Sequence, residues 1–171
     1  RTLMALSGQE QPDEDIHQWV AKEIFRGSLS REEVKKKLFS WLYNFSASNI
    51  HLDKFFSREI FRDFYSSGDG VLQTPYGRNL CVEERKAQNY LLQSTTSDIV
   101  IENAYKIMSF LHDKRSRIAF TMHDSIVLDF AKEDVLLLKN IKDIFENTKW
   151  GKFISTCKVG KDFGNLREMK I

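Results

Sequence analysis

Ser30-Arg31-Glu32-Glu33-Val34-Lys35-Lys36-Lys37-Leu38-Phe39-Ser40-Trp41-Leu42-Tyr43 is the stretch whose reading decides the rest of the chain. Ser30 followed at the third position by Glu33 is a capping box: the hydroxyl and the carboxylate reciprocally accept from amides that a helix start leaves without partners. The spacing predicts a helix from about Arg31. Arg31, Lys35, Phe39 and Tyr43 then recur every four residues, and each step rotates only about 40° past a full turn, so the four share one slowly drifting face. On the neighbouring face Glu32 with Lys36, and Glu33 with Lys37, stand in the favourable acid-before-base order and are expected to pair. Arg31 and Lys35 have no such partner in the pattern, and they crowd the positive end of the helix dipole, where anions are preferred.

Free amides, the dipole and two cations converge there as at other phosphate-binding helix ends, and beyond them Phe39 and Tyr43 offer ring faces on which a base could stack. The face suits a nucleoside triphosphate. The same residues also describe a solvated lysine-rich surface with both aromatics in the core.

At 171 residues, 42% hydrophobic and 12% aromatic, the chain can bury a core, which excludes disorder by composition and fits one domain or two small ones. A formal net charge of +2 is too small to argue nucleic-acid binding from bulk electrostatics, so such binding must come from local stripes of Lys and Arg. Cys81 and Cys157 belong to no metal-ligand spacing and read as reduced thiols. No apolar run approaches the roughly 20 residues of a membrane span, and no signal peptide is recognisable; a soluble cytoplasmic protein is expected.

Upstream, Leu3-Met4-Ala5-Leu6 is an apolar run closed by Ser7-Gly8. Asp13 and Asp15 are candidate caps for a helix to about Phe25, with Ile16, Trp19, Val20 and Ile24 at helical spacing and His17 in its first turn. Downstream, Phe55, Phe56, Ile60, Phe61 and Phe64 have core spacing. Val71–Thr74 reads as extended, and Thr74-Pro75-Tyr76-Gly77-Arg78 as a turn.

Glu83 to about His112 is the longest helical pattern, with Ala87, Leu91, Ile99, Ala104, Ile107 and Leu111 available for burial. Arg85, Asn89 and Gln93 form a polar stripe on it, able to donate to minor-groove acceptors that correct base pairs display alike. Arg117–Phe130 reads as a hairpin with His123-Asp124-Ser125 at its tip, Ile118, Phe120 and Met122 alternating before it and Ile126, Leu128 and Phe130 after it. Lys132–Trp150 then reads as a helix with Val135, Leu138, Ile141 or Ile144, and Phe145 inward, and Phe153–Val159 as a strand.

Arg-x3-Lys-x3-Phe-x3-Tyr at 31–43 resembles the fingers helix of family A DNA polymerases, the group of bacterial DNA polymerase I and its phage relatives. Asp15-Ile16-His17 resembles the family's Asp-x-His segment, Thr74 to Arg78 its Thr-x-x-Gly-Arg, the string from Glu84-Arg85 through Asn89, Gln93 and Thr95 to Asp98 its Glu-Arg-x3-Asn-x3-Gln motif, and His123-Asp124 its His-Asp motif between hydrophobic strands. Ser40 and Asn44 stand where the family has glycines, and Ser125 replaces a glutamate.

The resemblance implies an α+β fold: a helical fingers subdomain plus an antiparallel palm sheet with long packing helices, an incomplete polymerase right hand. Residues 1–12 would be the tail of the first catalytic motif of the palm, 13–82 the fingers and 83–171 the C-terminal palm. It implies template-directed transfer of a nucleotide from a dNTP to a primer 3′-hydroxyl with two Mg2+ ions. His17, Arg31 and Lys35 would hold the triphosphate, with Lys35 protonating the leaving group. Phe39 would stack on the incoming nucleotide, and Tyr43 would lie beside the template base. Arg78, Arg85, Asn89, Gln93 and His123 would contact primer-template DNA, and Asp124 would ligate metal.

The family's other essential aspartate precedes the position of Arg1, so these residues alone are expected to be inactive and to need the upstream remainder of the polymerase or a complementing chain. A single-subunit RNA polymerase relative and a non-catalytic primer-template-binding split subunit are the alternatives. No membrane partner is expected, and the implied setting is the cytoplasm of a bacterial or phage-infected cell.

Overall fold

The apolar run at the front of the chain is helical: α1 (Thr2–Leu6) buries Leu3 and Met4. The computed structural model describes residues 1–44 and 46–171, which divide into two units, Arg1–Asp98 and Ile99–Ile171. In the first unit α2 (Ile16–Trp19) starts where Asp15 predicts, the carboxylate accepting from the amides of His17 and Gln18 at 3.0 Å each. The expected α-helix to Phe25 is not continuous. Val20–Ile24 is π-helical, with the Phe25 amide donating to the Val20 carbonyl. The wider turn brings residues five apart into line, so Val20 and Phe25 both reach the core, and such turns recur at functional sites.

The capping box forms as its sequence requires: the Ser30 amide donates to the Glu33 carboxylate at 2.8 Å, and the Glu33 amide donates to the Ser30 hydroxyl at 3.4 Å. Helix α3 (Arg31–Tyr43) follows, burying Val34 and Trp41. The expected Glu32–Lys36 and Glu33–Lys37 ion pairs do not form. Glu33 is held in the cap, while Glu32 accepts from Arg31 at 2.7 Å.

Next come α4 (Ile50–Phe55) and a 3-10 turn, Glu59–Asp63. The break between them changes the phase of the aromatic run. Phe56 and Phe61 are buried, whereas Phe55 is 44% exposed and leaves the predicted core. Leu3, Val20, Val34, Trp41, Leu52 and Phe56 belong to one cluster of this unit. Completely burying a Val or Leu is worth about 1.5–3 kcal/mol, so this cluster is a principal source of the unit's stability.

β1 (Tyr65–Ser66), β2 (Val71–Gln73) and β3 (Asn79–Cys81) form an antiparallel sheet in that order. The predicted turn closes β2 onto β3, with Gly77 at φ 79°, a value glycine adopts without steric cost. α5 (Glu84–Phe110) matches the longest predicted helix; its first half buries Ala87 and Leu91 against this sheet's cluster.

In the second unit the other half of α5 packs Ile107, with Leu111 just beyond, against Ile141. β4 (Arg117–Met122) and β5 (Ser125–Asp129) make the predicted hairpin, but its register jumps from Ile118↔Leu128 to Phe120↔Val127. Ala119 is therefore a bulge, and an extra residue in one strand reverses which side chains face inward beyond it. Ile118 keeps company with Ile126 and Leu128 in the core, while Phe120 and Met122, expected beside it, are 48% and 40% exposed.

The expected helix over 132–150 is shorter: a 3-10 segment, Lys132–Leu137, leads into α6 (Leu138–Glu146). Val135, in the tighter segment, is exposed rather than inward. The helix stops at Glu146, whose buried carboxylate accepts from the Ser155 amide at 2.7 Å and its hydroxyl at 3.0 Å. Two small hairpins follow, β6 (Asn147–Thr148) with β7 (Gly151–Lys152), and β8 (Cys157–Val159) with β9 (Arg167–Met169). Helices with antiparallel strands are the class the sequence predicted; among the described residues the strands form four sheets of two or three. Among the described residues no helix is long and apolar enough to cross a membrane.

Candidate functional site

Asp15 stands at the centre of the first group of candidate residues. Besides capping α2, its carboxylate takes the Arg31 guanidinium in a two-pronged contact, Nε to Oδ1 at 3.1 Å and Nη2 to Oδ2 at 3.0 Å. Arg31 is thus not the unpartnered cation that the helix pattern suggested, because its partner lies 16 residues upstream, beyond the reach of i,i+4 reasoning. The His17 imidazole, with only 15% of its side chain exposed, places Nδ1 3.6 Å from Asp15 Oδ1. Its ring meets Phe39 edge-on at 5.9 Å, and Phe39 lies 5.7 Å from Tyr43. Lys35 Nζ sits 6.0 Å from the Phe39 ring centre and makes no ion pair among the described residues.

Phe39 and Tyr43 are 40% and 46% exposed, which settles that the rings are not core side chains. His17, Arg31, Lys35, Phe39 and Tyr43 therefore come together on one accessible surface. Burial pushes the His17 imidazole below its ordinary value; Arg31 and Lys35 push the same way and Asp15 opposes them. Burial raises Asp15, but hydrogen bonds from Arg31 and the Gln18 amide outweigh it and hold the carboxyl below its usual range. Arg31 also lines an open hollow of about 440 Å³ with Gln18, Ala21, Lys22, Arg26 and Gly27.

The far end of α3 is fixed by side chains the sequence reading missed. Arg58 Nη1 donates to the carbonyls of Trp41 at 3.1 Å and Asn44 at 3.4 Å, Nη2 donates to that of Ala47 at 2.6 Å, and the guanidinium lies 4.6 Å from the Trp41 ring centre. Gln88 Nε2 donates to the Leu42 carbonyl at 2.8 Å. A signal existed. No glycine follows Tyr43 to close the helix in a left-handed cap, so its last carbonyls need side-chain donors.

On α5 the stripe of Arg85, Asn89 and Gln93 is present, with Arg85 and Gln93 exposed and Asn89 half-buried. Arg85 is paired with Glu83 at 2.6 Å. Asn89 Oδ1 has no hydrogen-bond partner among the described residues. Arg78 is engaged too: its Nη2 donates to Asp98 at 3.0 Å and to the Ser94 carbonyl at 3.3 Å, tying the β2–β3 turn to α5.

In the second unit His123 and Asp124 are exposed at the hairpin tip. His123 has φ 52°, as the first central residue of a primed two-residue turn requires, and Ser125 Oγ donates to the Met122 carbonyl at 2.7 Å. Asp124 offers the hard oxygen donors magnesium takes, but no group of three or more His, Cys, Asp or Glu side chains arranged for a metal exists among the described residues. These donors fit magnesium in kind and not in number.

No protein-family model matches the chain. The fold is like that of a polymerase domain: the POL domain of Pol1 from M. smegmatis, solved in complex with DNA primer-template and dNTP, superimposes with a TM-score of 0.59 at 19% identity, over 85% of this chain and 32% of that one. In sequence, a DNA polymerase of Bacillus phage SP01 is 37% identical over an alignment of 101 positions that covers 52% of this chain and 11% of the relative. The sequence match agrees with the resemblance to a DNA polymerase read from the motifs, and the structural match with the fold that resemblance implies. The chain spans only that 11% of its phage relative.

Proposed function

We propose that this chain is the fingers and C-terminal palm of a template-directed DNA polymerase, with residues 13–82 as fingers, 83–171 as palm and 1–12 as the end of an earlier palm motif. The observation that carries the proposal is the single accessible face on which His17, Arg31 and Lys35 stand beside the rings of Phe39 and Tyr43. Cations bind the triphosphate of a dNTP, and the rings bind its base and the template base. Lys35, with no ion pair among the described residues, meets the phosphates and gives a proton to the departing pyrophosphate. Arg85, Asn89, Gln93 and His123 track the primer-template duplex, and Arg78 serves it from its Asp98 tether. Asp124 would contribute one carboxylate toward magnesium, and no further donors stand with it among the described residues.

Fluorescence titration of the chain with a dNTP tests the proposal. Lys35→Ala is expected to weaken binding about tenfold, the loss of one charge-assisted phosphate contact. Equal affinity of variant and wild type would remove the nucleotide face from the protein. Primer extension by the chain alone is expected to be absent, and measurable extension would overturn the incomplete carboxylate set. In a polymerase assembled with its upstream part, Asp124→Ala is expected to abolish extension; retained extension would make the hairpin a non-catalytic DNA contact.

A further inference from the structure

We infer that Asp15 is a positioning residue for the triphosphate: one carboxylate caps α2, fixes the plane of the Arg31 guanidinium and faces the His17 imidazole, so that both cations are aimed at the ligand before it arrives. The inference rests on the nucleotide-binding reading above. Asp15 Oδ1 accepts from the amides of His17 and Gln18 at 3.0 Å and from Arg31 Nε at 3.1 Å, and Oδ2 accepts from Arg31 Nη2 at 3.0 Å. With Glu32 accepting from Nη1, three of the five guanidinium N–H donors are taken and two remain for phosphate oxygens. A long side chain that would otherwise sample many rotamers is thus held with its remaining donors directed, which lowers the entropic cost of binding.

The same carboxylate balances the charges around His17. The charged side chains facing this imidazole are Asp15, Arg31 and Lys35, and of these only Asp15 favours the protonated ring. A charged ring binds phosphate oxygens more strongly than a neutral one. Asp15 accordingly keeps His17 protonatable among cations that would discharge it, while the bidentate contact prevents the two positive side chains from repelling each other apart.

Asn caps helices as well as Asp does, so Asp15→Asn keeps the fold of α2 and removes only the charge and the second acceptor. The probe is inorganic tripolyphosphate, titrated into the chain from pH 5 to pH 9 by calorimetry. Wild-type affinity is expected to decline as the pH rises through the His17 titration. Asp15→Asn is expected to begin that decline at lower pH and to bind about fivefold more weakly at neutral pH. His17→Gln is expected to retain only the ligand's own titration, and adding Asp15→Asn to it should leave the shape of the profile unchanged.

An Asp15→Asn profile superimposable on wild type, or tighter binding from a released Arg31, would overturn the inference and leave the nucleotide face standing. Failure of wild type to bind both tripolyphosphate and dNTP would overturn the two together.

Discussion

Replacing Arg58 by alanine tests how helix α3 is held. Arg58 is 20% exposed and donates to three backbone carbonyls at the end of α3 and in the loop after it, while its guanidinium lies 4.6 Å from the Trp41 ring centre. A hydrogen bond from a charged donor contributes about 1.5–3 kcal/mol when well made. The 2.6 and 3.1 Å bonds qualify, and the 3.4 Å bond counts for little. Water reaches part of this surface and replaces some of the loss, so about 2–3 kcal/mol is expected from the carbonyls and about 1 kcal/mol from the ring contact.

The expected destabilisation of about 3–4 kcal/mol is a large share of a typical domain's stability. Urea unfolding followed by tryptophan emission in a Trp150→Phe background reads it, because the remaining Trp19 and Trp41 both belong to the first unit and Trp41 is buried beside the substituted group. Arg58→Lys should recover less than half, since an ammonium cannot span separate carbonyls and stack on an indole at once. A loss below about 1 kcal/mol for Arg58→Ala would mean that water serves those carbonyls as well as arginine does, and the clamp would be refuted.

Gly160→Ala should destabilise the second unit by about 1–3 kcal/mol through overpacking, because a Cβ there would lie 2.6 Å from the Asn165 carbonyl oxygen; an unchanged melting temperature would show that this connection shifts freely. Acid should weaken the first unit through Asp53. The Trp41 indole N–H, then the Ser48 hydroxyl and the Asn49 amide, hold its carboxyl below the unfolded value against a smaller opposing effect of burial. A depressed carboxylate stabilises above its unfolded pKa, about 3.9, and that contribution disappears as the pH falls through the folded value. Urea midpoints of wild type should therefore fall more steeply below pH 4 than those of Asp53→Asn, and parallel curves would refute the assignment.

Much of the candidate site was legible because its signals are local. A capping box, an Asp cap and a four-residue stripe each need only a few consecutive residues, and Ser30, Asp15 and the face from Arg31 to Tyr43 all stand where their spacing put them. Periodic reasoning failed where phase is not constant. The π turn at Val20–Ile24 and the bulge at Ala119 each insert a residue's worth of rotation or reversal that no hydrophobic pattern announces. Phe120 and Met122 were placed on the wrong face for that reason. Partners far apart in sequence were equally hidden: Asp15 for Arg31, and Arg58 for the carbonyls beyond Trp41, depend on how separate helices meet.

The rearranged pairing on α3 also bears on how fast ligands arrive. With Glu32 turned to Arg31 and Glu33 held in the cap, Lys35, Lys36 and Lys37 make no ion pairs among the described residues, and they project a concentrated positive field from a chain whose net charge is only +2. Such a field steers a diffusing polyanion over a range set by the Debye length, which shrinks from about 30 Å at 0.01 M to about 10 Å near 0.1 M. Encounter rates should then depend on ionic strength as they would for a far more basic protein, while the lifetime of the bound state, set by short contacts, should scarcely change.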